Sequence, residues 1–526
     1  MGFASNMLFN SLPFIFLFLP VVLAGYFILG CRNTLSAAVW LALASLFFYG
    51  WWNPLYVGLL VVSMVFNYYA GLCIVRTRST GAMPRARWVL TVALVLDLAL
   101  LAYYKYANFF VENLYAALQT QTSLGEIILP LGISFFTFTQ IAFLVDAYQG
   151  KAREYSFAHY ALFVTYFPHL IAGPILHHAE MMPQFAQRET YRPDADKIAA
   201  GVTLFVLGLA KKVLIADGIG AYVAPFFDAA RSGVPLTFLE SWCGALAYTF
   251  QLYFDFSGYS DMAVGLSLMF GVRLPINFHS PYKAVNIIEF WRRWHMTLSR
   301  FLRDYLYVPL GGNRRGPARR YINLLLTMLL GGLWHGAGWT FMAWGILHGV
   351  FLCVNHAWHA LRVKLGHNLC RSTALGRALA CVVTFLAVVA GWVVFRADSL
   401  TSAVVMLRGM AGLNGFAMPD HWLAKWGTLG AWLNAQGFVF SEARGMVTGG
   451  LINWIGILLA VVWFAPNTQQ IMHRTQPALG VPSDSIRATS WLAWRPAAWL
   501  AVPFAVLAVA IVVNLHKKSE FLYFQF

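Results

Sequence analysis

Apolar runs of roughly twenty residues recur along this chain, separated by short polar stretches. A bilayer-spanning helix needs about 20 mostly apolar residues, and runs that meet this fall at 8–29, 35–52, 54–75, 88–110, 127–148, 158–176, 198–225, 238–270, 321–341, 343–361, 378–396, 451–465 and 497–514. The pattern predicts about a dozen membrane helices, some of them re-entrant. No segment between them is long enough for a separate soluble domain. The widest, 397–450, contains Gly and Trp and predicts an external loop carrying short helices. The chain therefore reads as one all-α polytopic membrane domain over 1–526, with N-terminal spans at 8–120, a core at 127–361 and C-terminal spans at 378–526.

Composition agrees with the pattern. Of 526 residues, 59% are hydrophobic and only 11% charged, far from the quarter or so charged in soluble domains. Lys and Arg number 37 against 21 Asp and Glu, a formal net charge of +16. The basic residues cluster between apolar runs, as the positive-inside bias requires, so the excess does not point to nucleic acid. Arg76, Arg78, Arg85 and Arg87 form one cluster, and Arg362, Lys364, Arg371 and Arg377 another. The densest comprises Arg292, Arg293, Arg300, Arg303, Arg314, Arg315, Arg319 and Arg320. With all three cytoplasmic, the Lys- and Arg-free N-terminus faces outward, and Leu8–Leu29 is an uncleaved first span. Lys211 and Lys212 interrupt a long apolar run and leave the middle ambiguous. Six scattered Cys show no metal spacing, and Cys73, Cys353 and Cys381 read as buried thiols; no metal is expected.

Two histidines stand out from fourteen. His177, His178, His367, His421, His473 and His516 sit at membrane edges or in polar loops. His348, His356 and His359 share one helix without metal-binding partners. The stretch 286–306 has no Gly or Pro and reads as one amphipathic helix. There His295 shares an arc with Ile288, Trp291, Leu298, Leu302 and Tyr305, while Arg292, Arg293, Arg300 and Arg303 flank it. His335 lies in Gly331-Gly332-Leu333-Trp334-His335-Gly336-Ala337-Gly338-Trp339, deep in an apolar span, where an ionisable side chain points to function. The glycines fit either close substrate approach or helix packing.

Asp255 and Asp261 lie six apart in an aromatic run. Carboxylates there need partners: the downstream arginines, a histidine held in orientation, or a proton pathway. Walker, GxGxxG, HExxH and GxSxG signatures are absent. A buried imidazole among aromatics then suits acyl transfer, taking a proton from a hydroxyl that attacks a thioester. A proton-coupled transporter or flippase with a histidine relay is the alternative, and a structural scaffold the least explanatory.

The sequence resembles the membrane-bound O-acyltransferase superfamily, and within it the alginate O-acetyltransferase family. The resemblance rests on Pro168-His169-Leu170-Ile171-Ala172-Gly173-Pro174-Ile175, the Asp255–Asp261 cluster, Leu274-Pro275-Ile276-Asn277-Phe278 and Phe290-Trp291-Arg292-Arg293-Trp294-His295-Met296-Thr297-Leu298-Ser299. It continues through Arg303–Gly312, the Gly332–Gly338 motif, Trp392–Leu400 and the aromatic C-terminus. It implies a multi-helix bundle thinned into a central funnel, with re-entrant or amphipathic helices, and a catalytic core at 127–361. His335 matches the family's essential histidine and His295 its second position; His169 departs from many relatives. The implied activity is transfer of acetyl groups from a cytoplasmic acyl thioester, acetyl-CoA, to an exopolysaccharide such as alginate or to a periplasmic partner acetylase. That places the chain in a bacterial inner membrane among lipids, with no bound cofactor. Arg314, Arg315, Arg319 and Arg320 become candidates for the donor's phosphates, and His335 is expected in a passage open to both sides of the membrane.

Overall fold

A computed structural model describes residues 7–119, 125, 127–152, 156–369, 372–441, 445–482, 493–515, 521 and 522; Cys370, Arg371 and His516 lie outside them. The protein is an all-α polytopic membrane bundle. At the N-terminal end a π-helical turn, Phe14–Phe18, runs into α1 (Leu19–Arg32), followed by α2 (Thr34–Trp52), α3 (Pro54–Ser79) and α4 (Met83–Leu118). Asparagines make the first connections tight. Asn33 accepts from Leu35 N–H at 2.8 Å and Asn53 from Leu55 N–H at 3.0 Å, with Pro54 opening α3, as helix starts favour. At 36 residues α4 is about 54 Å long, so it outruns the predicted 88–110.

Next come α5 (Ile133–Gln149) and α6 (Phe157–Thr165). The single span predicted for 158–176 is broken: α6 gives way to one turn at Phe167–Leu170 and then irregular chain through Leu176. Pro168 and Pro174 cannot supply the backbone donors a continuous helix needs.

The centre of the bundle is α7 (Ala195–Ala210, continuing through Lys211–Ala216 to Gly220) against α8 (Phe238–Met269). α8 starts in a capping box formed by Thr237 and Glu240 and is buried along nearly its whole length, as a helix apolar all round must be. Glycines let the two backbones touch: a Cβ on Gly201 would lie 2.6 Å from Gly265 O, and one on Gly208 2.6 Å from Gly258 O. Here the two interrupting lysines find their purpose. Lys211 pairs with Asp261 at 2.6 Å and Lys212 with Asp255 at 2.8 Å and Asp217 at 2.7 Å.

Short helices α9 (Ile287–Trp291) and α10 (Met296–Leu302) lead to α11 (Gly316–His335), α12 (Trp339–Lys364) and α13 (Ala374–Arg396). The 397–450 region carries α14 (Leu400–Met410), two small helices at Asp420–Lys425 and Thr428–Ala435, and a parallel pair β1 (Ala417–Pro419) and β2 (Val439–Ser441). Finally α15 (Gly449–Phe464) and α16 (Ala501–Asn514) return to apolar helix. Among the described residues, six helices are both long and apolar enough to cross a membrane; the other predicted spans are helices that are shorter, broken or more polar. Among the described cysteines Cys243 is the buried one, while Cys73, Cys353 and Cys381 are only half-buried because their apolar runs are exposed on one face.

Candidate active site

α11 and α12 form a hairpin whose backbones nearly touch. A Cβ on Gly332 would collide with Phe341 O, and one on Gly345 with Met328 O. Gly332 of the histidine motif thus serves helix packing. At Gly336 the chain leaves the helix in an extended conformation, so His335 is the last helical residue rather than a mid-helix one. Its ring is enclosed edge-on by Trp344 at 5.2 Å and Phe395 at 5.2 Å, with Trp334 at 4.9 Å.

The continuous amphipathic helix expected over 286–306 does not form. α9 ends at Trp291, and His295 takes a left-handed conformation, φ 42°, immediately before α10. A non-glycine residue rarely adopts this conformation, and neighbouring hydrogen bonds hold it: His279 N–H donates to Arg293 O at 2.9 Å, and Met296 N–H to Asn277 O at 3.0 Å. The break decides where side chains point. Trp291, Arg292, Met296 and Thr297 face one cavity, whereas Trp294 and His295 face another space with His335. His295 is thus buried, at 1% exposure, by a kink and not by a helical arc.

Asn277 fixes the state of that imidazole. Its Oδ1 accepts from Thr297 N–H at 3.3 Å and lies 3.0 Å from His295 Nδ1. A backbone N–H only donates, so the amide atom facing both groups is the oxygen, and His295 Nδ1 must carry the proton. In the neutral ring the lone pair then resides on Nε2.

The two imidazoles lie 6.5 Å apart, centroid to centroid. They share a void of about 10 Å³ completed by Leu252, Phe256, Trp294, Trp392 and Phe395, close to the smallest space that holds one water-sized oxygen. The open passage expected at His335 is not present in this structure: the residue is 6% exposed, because aromatic rings fill the space around it. Beyond the partition 291–297 lies a larger cavity of about 590 Å³. Ile288, Leu324 and Met328 give it an apolar wall, and Arg292, Arg300, Arg303 and His356 a basic rim, in which Arg300 pairs with Glu180 and Arg303 with Asp304.

Other sequence candidates fall elsewhere. Arg314, Arg315 and Arg319 are exposed on the approach to α11 and its first turn, Arg320 lies over Tyr321, and none of the four lines the cavity. Arg319 and Arg320 stand about 22–24 Å along α11 from His335, and Arg314 and Arg315 lie in the turns before it. Asp255 and Asp261 touch neither histidine nor the arginines. Asp261 accepts from Lys211 and Thr468, and Asp255 from Lys212 and Leu522 N–H, so these carboxylates tie α7 to α8 and to the C-terminal segment. His348 is buried among Phe290, Trp291 and Trp344, and His169 bonds Phe163 O at 2.9 Å.

Four contributors escaped sequence reasoning. Asn277 was visible only as part of a motif. Trp392 and Phe395 come from α13, outside the 127–361 core. Lys105, on α4, donates to the backbone of the histidine motif; a lone lysine in the apolar run 88–110 was its signal.

Comparison with known proteins bears on this geometry. The model of the MBOAT, membrane-bound O-acyltransferase family, matches residues 46–390. The chain is 47% identical over 440 residues to the peptidoglycan O-acetyltransferase of Helicobacter pylori, covering 78% of this chain and 81% of that protein. It is 45% identical over 416 residues to the probable alginate O-acetylase AlgI of Pseudomonas aeruginosa, covering 77% and 75%. A teichoic acid D-alanyltransferase of Bacillus subtilis matches at 31% over 278 residues, covering 50% and 68%.

Proposed function

The chain belongs to the membrane-bound O-acyltransferase family, and on that premise we propose that it carries acetyl groups from cytoplasmic acetyl-CoA across a bacterial inner membrane, its N-terminus periplasmic, for O-acetylation of an exopolysaccharide such as alginate. Delivery is direct or through a periplasmic partner acetylase. The observation that carries this reading is the pair of imidazoles around a space sized for one oxygen, a thin partition away from a cavity with a basic rim.

In the proposed reaction the acceptor hydroxyl occupies the void and the donor's pantetheine end lies in the larger cavity. Arg292, Arg300 and Arg303 face the donor's phosphates. The hydroxyl oxygen attacks the thioester carbonyl, forming the C–O bond as the C–S bond breaks. His335 Nε2 or Nδ1 takes the hydroxyl proton and passes it to the departing thiolate, which leaves as free CoA. Met296 and Trp291, on the cavity side of the partition, must swing aside for the acyl group to reach the pair.

His295 cannot donate from Nε2 to an oxyanion while neutral, since Asn277 holds the proton on Nδ1. The acceptor hydroxyl has one proton, which His335 takes, so in this reading His295 stabilises negative charge only after protonation. The same observation favours a second reading in which the two histidines exchange roles. An imidazole oriented through its Nδ1 proton is the arrangement a general base uses. The acceptor also has a second reading, a different cell-envelope polymer, supported by the peptidoglycan and teichoic acid relatives.

The test is a gene deletion complemented with wild type, His335→Ala or His295→Ala. Ester-linked acetate is measured in extracellular polysaccharide and in peptidoglycan, and free CoA is measured in isolated membranes. The proposal expects no acetate and no CoA release with His335→Ala in a stably inserted protein. Wild-type acetate would refute it, and activity lost only with His295→Ala would establish the exchanged roles. A transporter would function without releasing CoA.

A further inference from the structure

Three of the last four carbonyls of α11 are served by two consecutive residues of α4. Tyr106 Oη donates to Leu333 O at 2.8 Å, and Lys105 Nζ donates to Trp334 O at 2.5 Å and His335 O at 3.1 Å. A helix leaves its final four carbonyls without intrahelical donors. Many helices solve this by turning a glycine left-handed so that backbone N–H groups fold back. Here Gly336 is extended, φ −166°, and that closure is missing. The side chains of α4 replace it.

Lysine suits this position for a second reason. A cation is stabilised at a helix C-terminus, where the peptide dipoles leave partial negative charge. Lys105 also sits 5.8 Å from the centre of the Trp334 ring and 3.4 Å from Ser134 Oγ. Held in a largely apolar stretch of α4 at a cost, its amine is aimed at the backbone that carries the catalytic imidazole.

We propose that Lys105 is a positioning residue for acyl transfer: it clamps the terminal turn of α11 so that His335 keeps one place across the void from His295. The inference rests on His335 being the base. Past His335 the chain runs Gly336-Ala337-Gly338, whose glycines permit many backbone conformations. Without the clamp, of these α4 bonds to the turn the one from Tyr106 remains. A displacement near 1 Å at a reacting group costs about 100-fold in rate.

The experiment uses the full-length protein in lipid nanodiscs, measuring CoA release against acetyl-CoA concentration with purified acceptor polymer. Lys105→Met keeps the reach and removes the donors. Lys105→Arg restores a cation and donors, and Lys105→Gln retains a neutral donor should the methionine variant fold poorly. Lys105→Met should lower kcat by about 100-fold while leaving the KM for acetyl-CoA within about twofold. Lys105→Arg should recover most of the loss, with Lys105→Gln between them. Unchanged kcat in Lys105→Met or Lys105→Gln, or a change confined to KM, overturns the proposal. His335→Ala runs alongside: if it is active, the base assignment fails. If it is dead while Lys105→Met matches wild type, only the clamp fails.

Discussion

Replacing Asn277 with Ala withdraws one oxygen from three donors at once: His295 Nδ1 at 3.0 Å, Thr297 Oγ1 at 3.0 Å and Thr297 N–H at 3.3 Å. Asn277 and Thr297 are both 2% exposed, so water does not readily replace it. Each lost bond is worth about 0.5–1.5 kcal/mol net, which sums to roughly 2–4 kcal/mol of folding stability. The part that bears on catalysis is the His295 bond alone. At about 1–1.5 kcal/mol it corresponds to a roughly tenfold fall in kcat, since the imidazole can then rotate and exchange tautomers. Asn277→Asp keeps an acceptor for all three donors and should retain most activity. The assay is CoA release by purified variants in nanodiscs, with thermal unfolding followed in parallel. A folded Asn277→Ala protein that turns over within about twofold of wild type would refute the argument that His295 needs its Nδ1 proton fixed.

Two further outcomes follow from the cavity and the buried pairs. Changing Arg292 and Arg303 together to Gln should weaken acetyl-CoA binding, more at low than at high salt, whereas Arg314 and Arg319 changed together should not. Isothermal titration at two ionic strengths distinguishes the pairs, and equal effects would return donor binding to the α11 end. Lys212→Met should destabilise the protein by about 3–5 kcal/mol, because Asp255 is left charged and unpaired in the core. Combining it with Asp255→Leu should recover much of the loss. Thermal size-exclusion stability measures both, and a single mutant as stable as the double would show that the pair is not an energetic unit.

Much of the bundle was written in apolar run length, because helices in a membrane must satisfy their own backbone. Thus α2, α3, α12 and α13 fall close to their predicted limits. His335 was legible for a related reason: a polar side chain in such a run has few roles. What periodicity misses is interruption set by tertiary contacts. Nothing in 286–306 announces a left-handed residue at His295; the bonds that hold it come from Asn277 and His279, more than a dozen positions earlier. The partners of Asp255 and Asp261 were equally hidden. Pairing across helices depends on the close approach at Gly208 and Gly258, and the sequence offered arginines that are denser yet remote. Lys105 was plain in the sequence, but its meaning lay in carbonyls more than two hundred residues away.

The central claim is that the His295–His335 void is where the acyl group and the acceptor hydroxyl meet. A cryo-EM structure with a non-cleavable thioether analogue of acetyl-CoA tests it most directly. The analogue should follow the cavity lined by Arg292, Arg300 and Arg303, with the partition at Trp291 and Met296 displaced and the acyl carbon within about 4 Å of an imidazole nitrogen. An analogue bound elsewhere, with the two histidines still sealed from it, would contradict the account.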